Sequence, residues 1–175
     1  MVESSIKNFA ESVSGQSMAD ELRELEITHV VTVPDTHQRT LLDLLYESRD
    51  IEVVTASTED EAFAVHAGLY MGGARPMLII QHVGVFAGLN SIRGISTDMK
   101  VPTFALVGLF ARDATKELRD NRNSAVRQIT PLLDAMNIPY FELNSANDLR
   151  VIREGYDLSL ENLGPVFILV GERTN

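Results

Sequence analysis

Short apolar runs alternate with amphipathic stretches along most of the chain. Six of these runs are rich in β-branched residues and predict strands. Two of them, "MLIIQ" and "VFILV", are continuously apolar, which is typical of strands buried on both faces of a parallel sheet. The predicted strands span residues 28–33, 51–56, 76–81, 102–107, 139–143 and 165–170.

The stretches between the predicted strands have the spacing of amphipathic helices. Ser17 followed by Asp20 resembles a capping box and predicts the start of the first helix. The pair Gly72-Gly73 predicts a left-handed C-cap at the end of the third. The predicted helices span residues 17–25, 38–48, 60–73, 87–97, 124–136 and 146–158.

This alternation of strands and helices predicts the fold class. It favours a doubly wound α/β domain, with a mainly parallel six-stranded sheet, helices on both faces and right-handed crossovers. The domain is expected to span residues 17–175. Residues 1–16 are expected to form an N-terminal arm.

Composition agrees with one folded domain. The chain has 175 residues, of which 45% are hydrophobic and 23% charged. It contains no cysteine, which excludes disulfides, thiolate metal sites and cysteine nucleophiles. No apolar run approaches the roughly 18 residues of a membrane span. The first ten residues lack the apolar core of a secretory signal, so a cytoplasmic location is expected.

The formal net charge of −10 narrows the choice of ligands. A surface of this sign repels phosphate backbones and argues against nucleic-acid binding. If the chain helps to bind a diphosphate, the neutralising cations are expected to lie elsewhere. Neither the G-x-G-x-x-G fingerprint nor the P-loop pattern is present. The histidines lack H-x-x-x-H spacing, so no self-contained metal site is expected.

Ligands in doubly wound sheets bind at the carboxyl ends of the strands, near a switch in strand order. The loops at these ends are residues 34–37, 57–61, 82–88 and 108–113. In the second loop, Thr58 and Glu61 can form a capping box, and acidic residues in a first turn complement the helix dipole. This structural explanation covers Asp60 and Glu61. It covers Glu59 less well, because Glu59 lies at the corner that faces the crevice.

The histidines and one aspartate have two interpretations each. His82 at a strand end is either a proton donor or a residue that hydrogen-bonds a loop carbonyl. Asp35 is adequately explained as a turn residue, and His37 is either functional or a solvated loop histidine. His66 and His29 are expected to pack inside a helix and a strand, respectively.

Together the loops resemble the pyrimidine-binding (PYR) domain of enzymes that use thiamine diphosphate (ThDP). Within that superfamily the sequence is most similar to phosphonopyruvate decarboxylase and the α subunit of sulfopyruvate decarboxylase. The matching segments are "VPDTHQRTLLDLL", "TASTEDEAFAVHAGLYMGGARPMLIIQHVG", "LNSI", "VPTFALVG" and "GPVFILV". The resemblance covers about residues 17–173, nearly the whole chain.

The resemblance implies a role for each candidate. The glutamate that matches Glu59 hydrogen-bonds N1′ of the cofactor's aminopyrimidine in this family, so Glu59 is expected to bind and activate the cofactor. Gly84 is expected to lie beside the cofactor. The loops that carry Asp35, His37 and His82 approach the reacting carbon, so these residues are expected to transfer protons or to bind substrate.

The resemblance also implies a partner. The family's G-D-G…Asn motif, which binds the diphosphate and Mg²⁺, belongs to a second (PP) domain and is not in this chain. The expected protein is therefore one subunit of a ThDP- and Mg²⁺-dependent 2-oxo acid decarboxylase. It would share its active site with a separate PP subunit in an α2β2 or larger assembly.

Two departures from the family leave the substrate open. Sulfopyruvate-type enzymes usually have Asn-Ser-Gly where this chain has His82-Val83-Gly84, and a small residue or leucine where it has His37. A plain carboxylate, a sulfonate and a phosphonate all remain possible substrates. The alternatives to a decarboxylase are a ThDP-dependent lyase or carboligase subunit, and a non-catalytic binding or regulatory domain.

Overall fold

A computed structural model describes residues 12–175, and its centre is a sheet of six parallel strands. The strand order is β2-β1-β3-β4-β6-β5. Each strand agrees with its predicted position to within one residue at either end, so the predicted fold class is confirmed. The strands are β1 His29–Thr32, β2 Glu52–Thr55, β3 Pro76–Gln81, β4 Thr103–Gly108, β5 Tyr140–Leu143 and β6 Pro165–Val170.

Helices connect the strands and cover the sheet. Two short 3₁₀ turns, Leu118–Asp120 and Ala146–Asp148, precede the last two long helices. The helices are α1 Gly15–Glu24, α2 Arg39–Ser48, α3 Glu59–Met71, α4 His82–Ala87, α5 Leu89–Ser91, the π-helix Ile92–Asp98, α6 Ser124–Ala135 and α7 Arg150–Asn162.

Two apolar layers hold the helices against the sheet. Leu22 of α1, Leu41 of α2 and Ile152 of α7 belong to the layer on one face. Phe63 of α3 and Ile129 of α6 belong to the layer on the other. Val85 of α4 belongs to this second layer as well, so the neighbouring strands β1 and β3 send their connecting helices, α2 and α4, to opposite faces. Such a switch point opens a crevice at the carboxyl ends of the two strands.

The helical segment after β3 differs from the prediction. A single helix over residues 87–97 was expected, but α4 begins directly after the strand and Gly88 separates it from α5. Gly88 packs closely on Phe63, since a Cβ at Gly88 would lie 2.8 Å from the ring. The chain then continues as the seven-residue π-helix. This early start places His82 and Gly84 in the first turn of a helix at the crevice.

The predicted start of α1 is wrong, and the predicted left-handed end of α3 is confirmed. Ser17 is not the first cap, because α1 begins at Gly15 and the hydroxyl of Ser14 accepts a hydrogen bond from the Ser17 N–H at 3.3 Å. Gly73 adopts a φ of 88°, which confirms the left-handed turn after α3. Most of the expected N-terminal arm lies outside the described residues. No helix within residues 12–175 is long and apolar enough to cross a membrane.

Candidate active site

Three of the predicted residues meet at the carboxyl ends of β1, β3 and β4. Asp35 and His37 follow β1, His82 follows β3, and all three side chains are buried. Gly108 at the end of β4 lies between them. A Cβ at Gly108 would overlap the carboxylate of Asp35 and would lie 3.0 Å from the Cβ of His37. The close approach of the loop after β1 to the end of β4 therefore depends on glycine.

Asp35 is held in place from both sides. Its Oδ1 accepts a hydrogen bond from the His37 N–H at 2.8 Å, and its Oδ2 accepts one from Gln38 Nε2 at 2.9 Å. Gln38 Nε2 also donates to the carbonyl of Leu106 at 3.3 Å. Sequence reasoning missed Gln38. The only indication in the sequence is that Gln38 is a polar residue next to the candidate His37. Its burial and its hydrogen bond to Leu106 of β4 depend on tertiary structure.

His37 has one occupied and one free ring nitrogen. Nε2 lies 3.0 Å from the carbonyl oxygen of Val170, at the end of β6. Because a carbonyl only accepts, Nε2 carries the proton, and Nδ1 is left as an acceptor. Nδ1 is buried and has no hydrogen-bond partner within the described residues. Burial lowers the pKa of His37 below 6.5 and outweighs the opposing charge of Asp35, so His37 is neutral at pH 7.

His82 shows the same arrangement. Its Nδ1 lies 3.2 Å from the carbonyl oxygen of Gly108 and carries the proton. Its Nε2 is buried and without a partner in the described part of the chain. Burial lowers the pKa of His82 as well, against smaller opposing effects of the Gly108 carbonyl and Asp35. Nδ1 therefore makes the expected hydrogen bond to a loop carbonyl, and Nε2 is left as a free acceptor.

Glu59 lies beside the first turn of α4, the helix that begins at His82. It is the first residue of α3, it is half-buried, and its carboxylate has no hydrogen bond or ion pair with any described residue. Its side chain packs against Gly84 in the first turn of α4, where a Cβ would lie 2.6 Å from Oε1. Only a glycine leaves room for the Glu59 side chain in this position.

The neighbouring acids have structural roles. The Glu61 carboxylate accepts a hydrogen bond from the Ser57 N–H at 2.7 Å. Thr58 is the N-cap residue of α3, but its hydroxyl makes no capping bond, and Glu61 bonds the N–H of Ser57 instead of that of Thr58, so the predicted capping box does not form. The Thr58 hydroxyl instead lowers the pKa of Asp60.

The two remaining histidines lie away from the crevice. His66 is buried inside α3, as expected, and burial lowers its pKa to about 4. His29 begins β1 and is only half-buried. Its Nε2 lies 3.5 Å from the carboxylate of Glu52, so packing alone does not account for it.

The crevice offers hydrogen-bond acceptors to a ligand. Nδ1 of His37, Nε2 of His82 and Oε1 of Gln38 are buried without partners within the described residues. The Glu59 carboxylate adds a fourth acceptor. Buried acceptors without partners are costly, so such a crevice suits a ligand that brings N–H or O–H groups. This arrangement defines a doubly wound α/β domain with a crevice rich in acceptors at its switch point.

The family model confirms this assignment and the resemblance seen in the sequence. The chain belongs to the family of thiamine pyrophosphate enzymes, N-terminal TPP binding domain, whose model matches residues 13–138. It is similar to the sulfopyruvate decarboxylase subunit alpha of Methanococcus maripaludis, with 26% identity over 82% of this chain and 86% of that protein. The subunit of the same name from Methanocaldococcus jannaschii is 28% identical over 69% of this chain and 70% of its own length.

A solved structure shares the fold. Benzoylformate decarboxylase from Polynucleobacter necessarius superposes with a TM-score of 0.70 and 19% identity. The match covers 94% of this chain but only 32% of the benzoylformate decarboxylase chain, so this chain spans about a third of that enzyme. Among residues 12–175, no group of three or more His, Asp or Glu side chains is placed to hold a metal ion.

Proposed function

We propose that this chain is the PYR subunit of a two-subunit, ThDP-dependent 2-oxo acid decarboxylase. The family match and the relatives named sulfopyruvate decarboxylase subunit alpha support this assignment. Those relatives match this chain over most of their own length. The active site is then completed by a separate PP subunit.

The observation that carries the proposal is the free carboxylate of Glu59. It lies half-buried at the crevice, next to Gly84, and no described residue satisfies it. A carboxyl group in this position would hold N1′ of an aminopyrimidine through a hydrogen bond. When bound, ThDP would supply a thiazolium ring as the electron sink that decarboxylation needs. The part of Glu59 is to bind the pyrimidine and to exchange a proton with N1′.

The two histidines and Asp35 serve the substrate. Nε2 of His82 is a neutral base whose tautomer is fixed by the Gly108 carbonyl, so it can receive a proton from the substrate or product. Nδ1 of His37 is fixed in the same way by Val170. Asp35 is already bonded to the His37 N–H and to Gln38. Its main role is therefore to orient this loop and to favour positive charge on the histidines when they are protonated.

The diphosphate and Mg²⁺ belong to the partner in this proposal. The net charge of −10, together with the acceptors in the crevice, disfavours a diphosphate on this chain alone. An α2β2 or larger assembly gives each crevice its own PP subunit.

The test is Glu59→Gln in the assembled complex. Glutamine has nearly the same size but cannot exchange the proton, so we expect at least about a 100-fold loss of carbon dioxide release, as for the loss of a general acid–base group. Assembly should be unchanged by size-exclusion chromatography. Glu61→Gln is the matched control, because Glu61 bonds the Ser57 N–H and should keep nearly full activity. Full turnover by the Glu59→Gln complex would exclude the proposed role.

A further inference from the structure

We propose that Arg173 binds a second anionic group of the substrate and makes the site selective for 2-oxo acids with a charged tail. This inference rests on the proposed function and deepens it by naming the residue that sets the substrate class.

The position of Arg173 is fixed by its neighbours on both sides. The carbonyl of Val170 accepts hydrogen bonds from His37 Nε2 at 3.0 Å and from the Leu109 N–H at 2.9 Å. The Thr174 N–H donates to the carbonyl of His37 at 3.3 Å. Arg173 therefore lies on a short segment that is bonded to His37 at both ends. Its charge contributes to lowering the pKa of His37, which agrees with this proximity.

The segment is also anchored beyond Arg173. The hydroxyl of Thr40 donates to the carbonyl of Thr174 at 3.1 Å, and the N–H of Gly15 donates to the carbonyl of Asn175 at 3.0 Å. These bonds tie the segment to the start of α2 and to α1. A cation on an anchored segment loses less conformational freedom when it binds an anion than one on a loose chain end.

The guanidinium group of Arg173 is available for a ligand. Within residues 12–175 no carboxylate forms an ion pair with it, and it lies 6.0 Å from the ring centre of Phe110. Phe110 follows β4 and is exposed, so the ring supports the cation at the crevice edge. The nearby Arg112 is different, because its side chain is only 9% exposed and it is bonded to Asn144 and close to Glu142.

The charges of the crevice explain why a cation is needed. Asp35 and Glu59 place two carboxylates near the ligand, and the histidines are neutral at pH 7. A substrate with two anionic groups would be repelled without a compensating charge. Arg173 follows β6, which lies two strand intervals from β3, or roughly 10 Å at the usual spacing of strands. A short extended substrate and a long arginine side chain can bridge this distance. Arginine also binds carboxylate, sulfonate and phosphonate groups through two parallel hydrogen bonds.

The first experiment compares two substrates in the reconstituted complex. For Arg173→Gln we expect KM for sulfopyruvate to rise about 10- to 100-fold, because a charge-assisted hydrogen bond is lost. KM for 2-oxobutanoate, which has no charged tail, should change less than about twofold. Arg173→Lys should recover part of the loss. Arg49→Gln is the matched control, since it removes the same charge from an exposed site at the end of α2, away from the crevice.

The second experiment needs no turnover. Calorimetric titration of the complex with sulfoacetate, a dianion, should show binding that Arg173→Gln abolishes, whereas propanoate should bind both proteins equally. If the unsubstituted complex decarboxylates neither acid, the proposed function fails, and the titration still decides the role of Arg173. Equal effects on both substrates, dissociation of the complex by Arg173→Gln, or unchanged sulfoacetate binding would each overturn the inference.

Discussion

The tautomers of the two crevice histidines determine what they can do for a ligand. His37 donates through Nε2 to Val170, and His82 donates through Nδ1 to Gly108, so opposite nitrogens are free in the two rings. We expect nitrogen-detected NMR of the full chain at pH 7 to show the Nε2–H form for His37 and the Nδ1–H form for His82. The same tautomer in both rings, or a charged ring in either, would contradict this geometry.

His66 is predicted to make the fold sensitive to acid. Burial lowers its pKa from 6.5 to about 4, so the unfolded state binds a proton more readily than the folded state. The stability conferred by neutral His66 is fully present above pH 6.5. It is lost as the pH falls towards 4, by up to about 3 kcal/mol.

Comparison with His66→Leu isolates this contribution. The free energy of unfolding is measured by urea denaturation between pH 7.5 and 4 for both proteins. His37 and His82 also have lowered pKa values, but they are present in both chains and their effect cancels in the difference. The variant should lose less stability than the parent chain over this range. Parallel pH profiles would show that His66 is not the sensitive group.

At the scale of elements, α3 and α4 act on each other through Gly84. A Cβ at Gly84 would overlap Cγ of Glu59 and would lie 2.6 Å from its Oε1, so the half-buried Glu59 side chain has to turn away from it. We therefore expect Gly84→Ala to keep the fold, with a change of less than about 1 kcal/mol in the free energy of unfolding, but to displace the carboxylate and lower carbon dioxide release by about tenfold or more.

Gly68→Ala is the matched control for this substitution. A Cβ at Gly68 in α3 meets nothing within 4 Å, and alanine favours a helix over glycine. It should raise the free energy of unfolding of the chain by about 0.5–1 kcal/mol. If Gly84→Ala instead destabilised the chain by several kcal/mol, the contact would be structural and not a device that positions Glu59.

The elements themselves were predictable to different degrees. The strands are short runs of apolar and β-branched residues whose pattern depends only on local sequence, and all six were located. The helix after β3 was placed five residues too late, because α4 begins directly after the strand and breaks at Gly88, which packs on Phe63. A contact between residues so far apart in the chain leaves no local pattern. The first cap was misplaced by three residues because Ser14 and Ser17 are chemically equivalent candidates.

At the scale of the whole molecule, the residues that follow the strands were enough to predict where the crevice lies. They were not enough to predict every group that lines it. Asp35, His37, Glu59 and His82 each follow a strand, so parallel topology alone brings them to one edge of the sheet. Gln38 was not predicted, because its function depends on bonds across the sheet. The same holds for the carbonyls of β4 and β6 that fix the histidine tautomers. Long-range contacts of backbone atoms have no signature in a single sequence.

The proposed sharing of the active site makes a prediction about assembly that can be measured. This chain brings Glu59 and the histidines, and its net charge of −10 disfavours the diphosphate, so the chain alone should not release carbon dioxide from a 2-oxo acid with ThDP and Mg²⁺. Activity should appear when the PP subunit is added. At constant total subunit concentration, it should be greatest when the two chains are present in equal numbers, as in an α2β2 or larger assembly with one crevice per pair.

The Glu59→Gln chain tests directly whether the active site is shared between this chain and the PP subunit. It should bind the PP subunit as well as the parent chain does, since Glu59 is the only group changed and its carboxylate has no partner among the described residues. When it is mixed with parent chain and limiting PP subunit, activity should fall in proportion to its share of the mixture. A chain that is active alone, or a variant that does not compete, would mean that the crevice is not completed by a partner subunit.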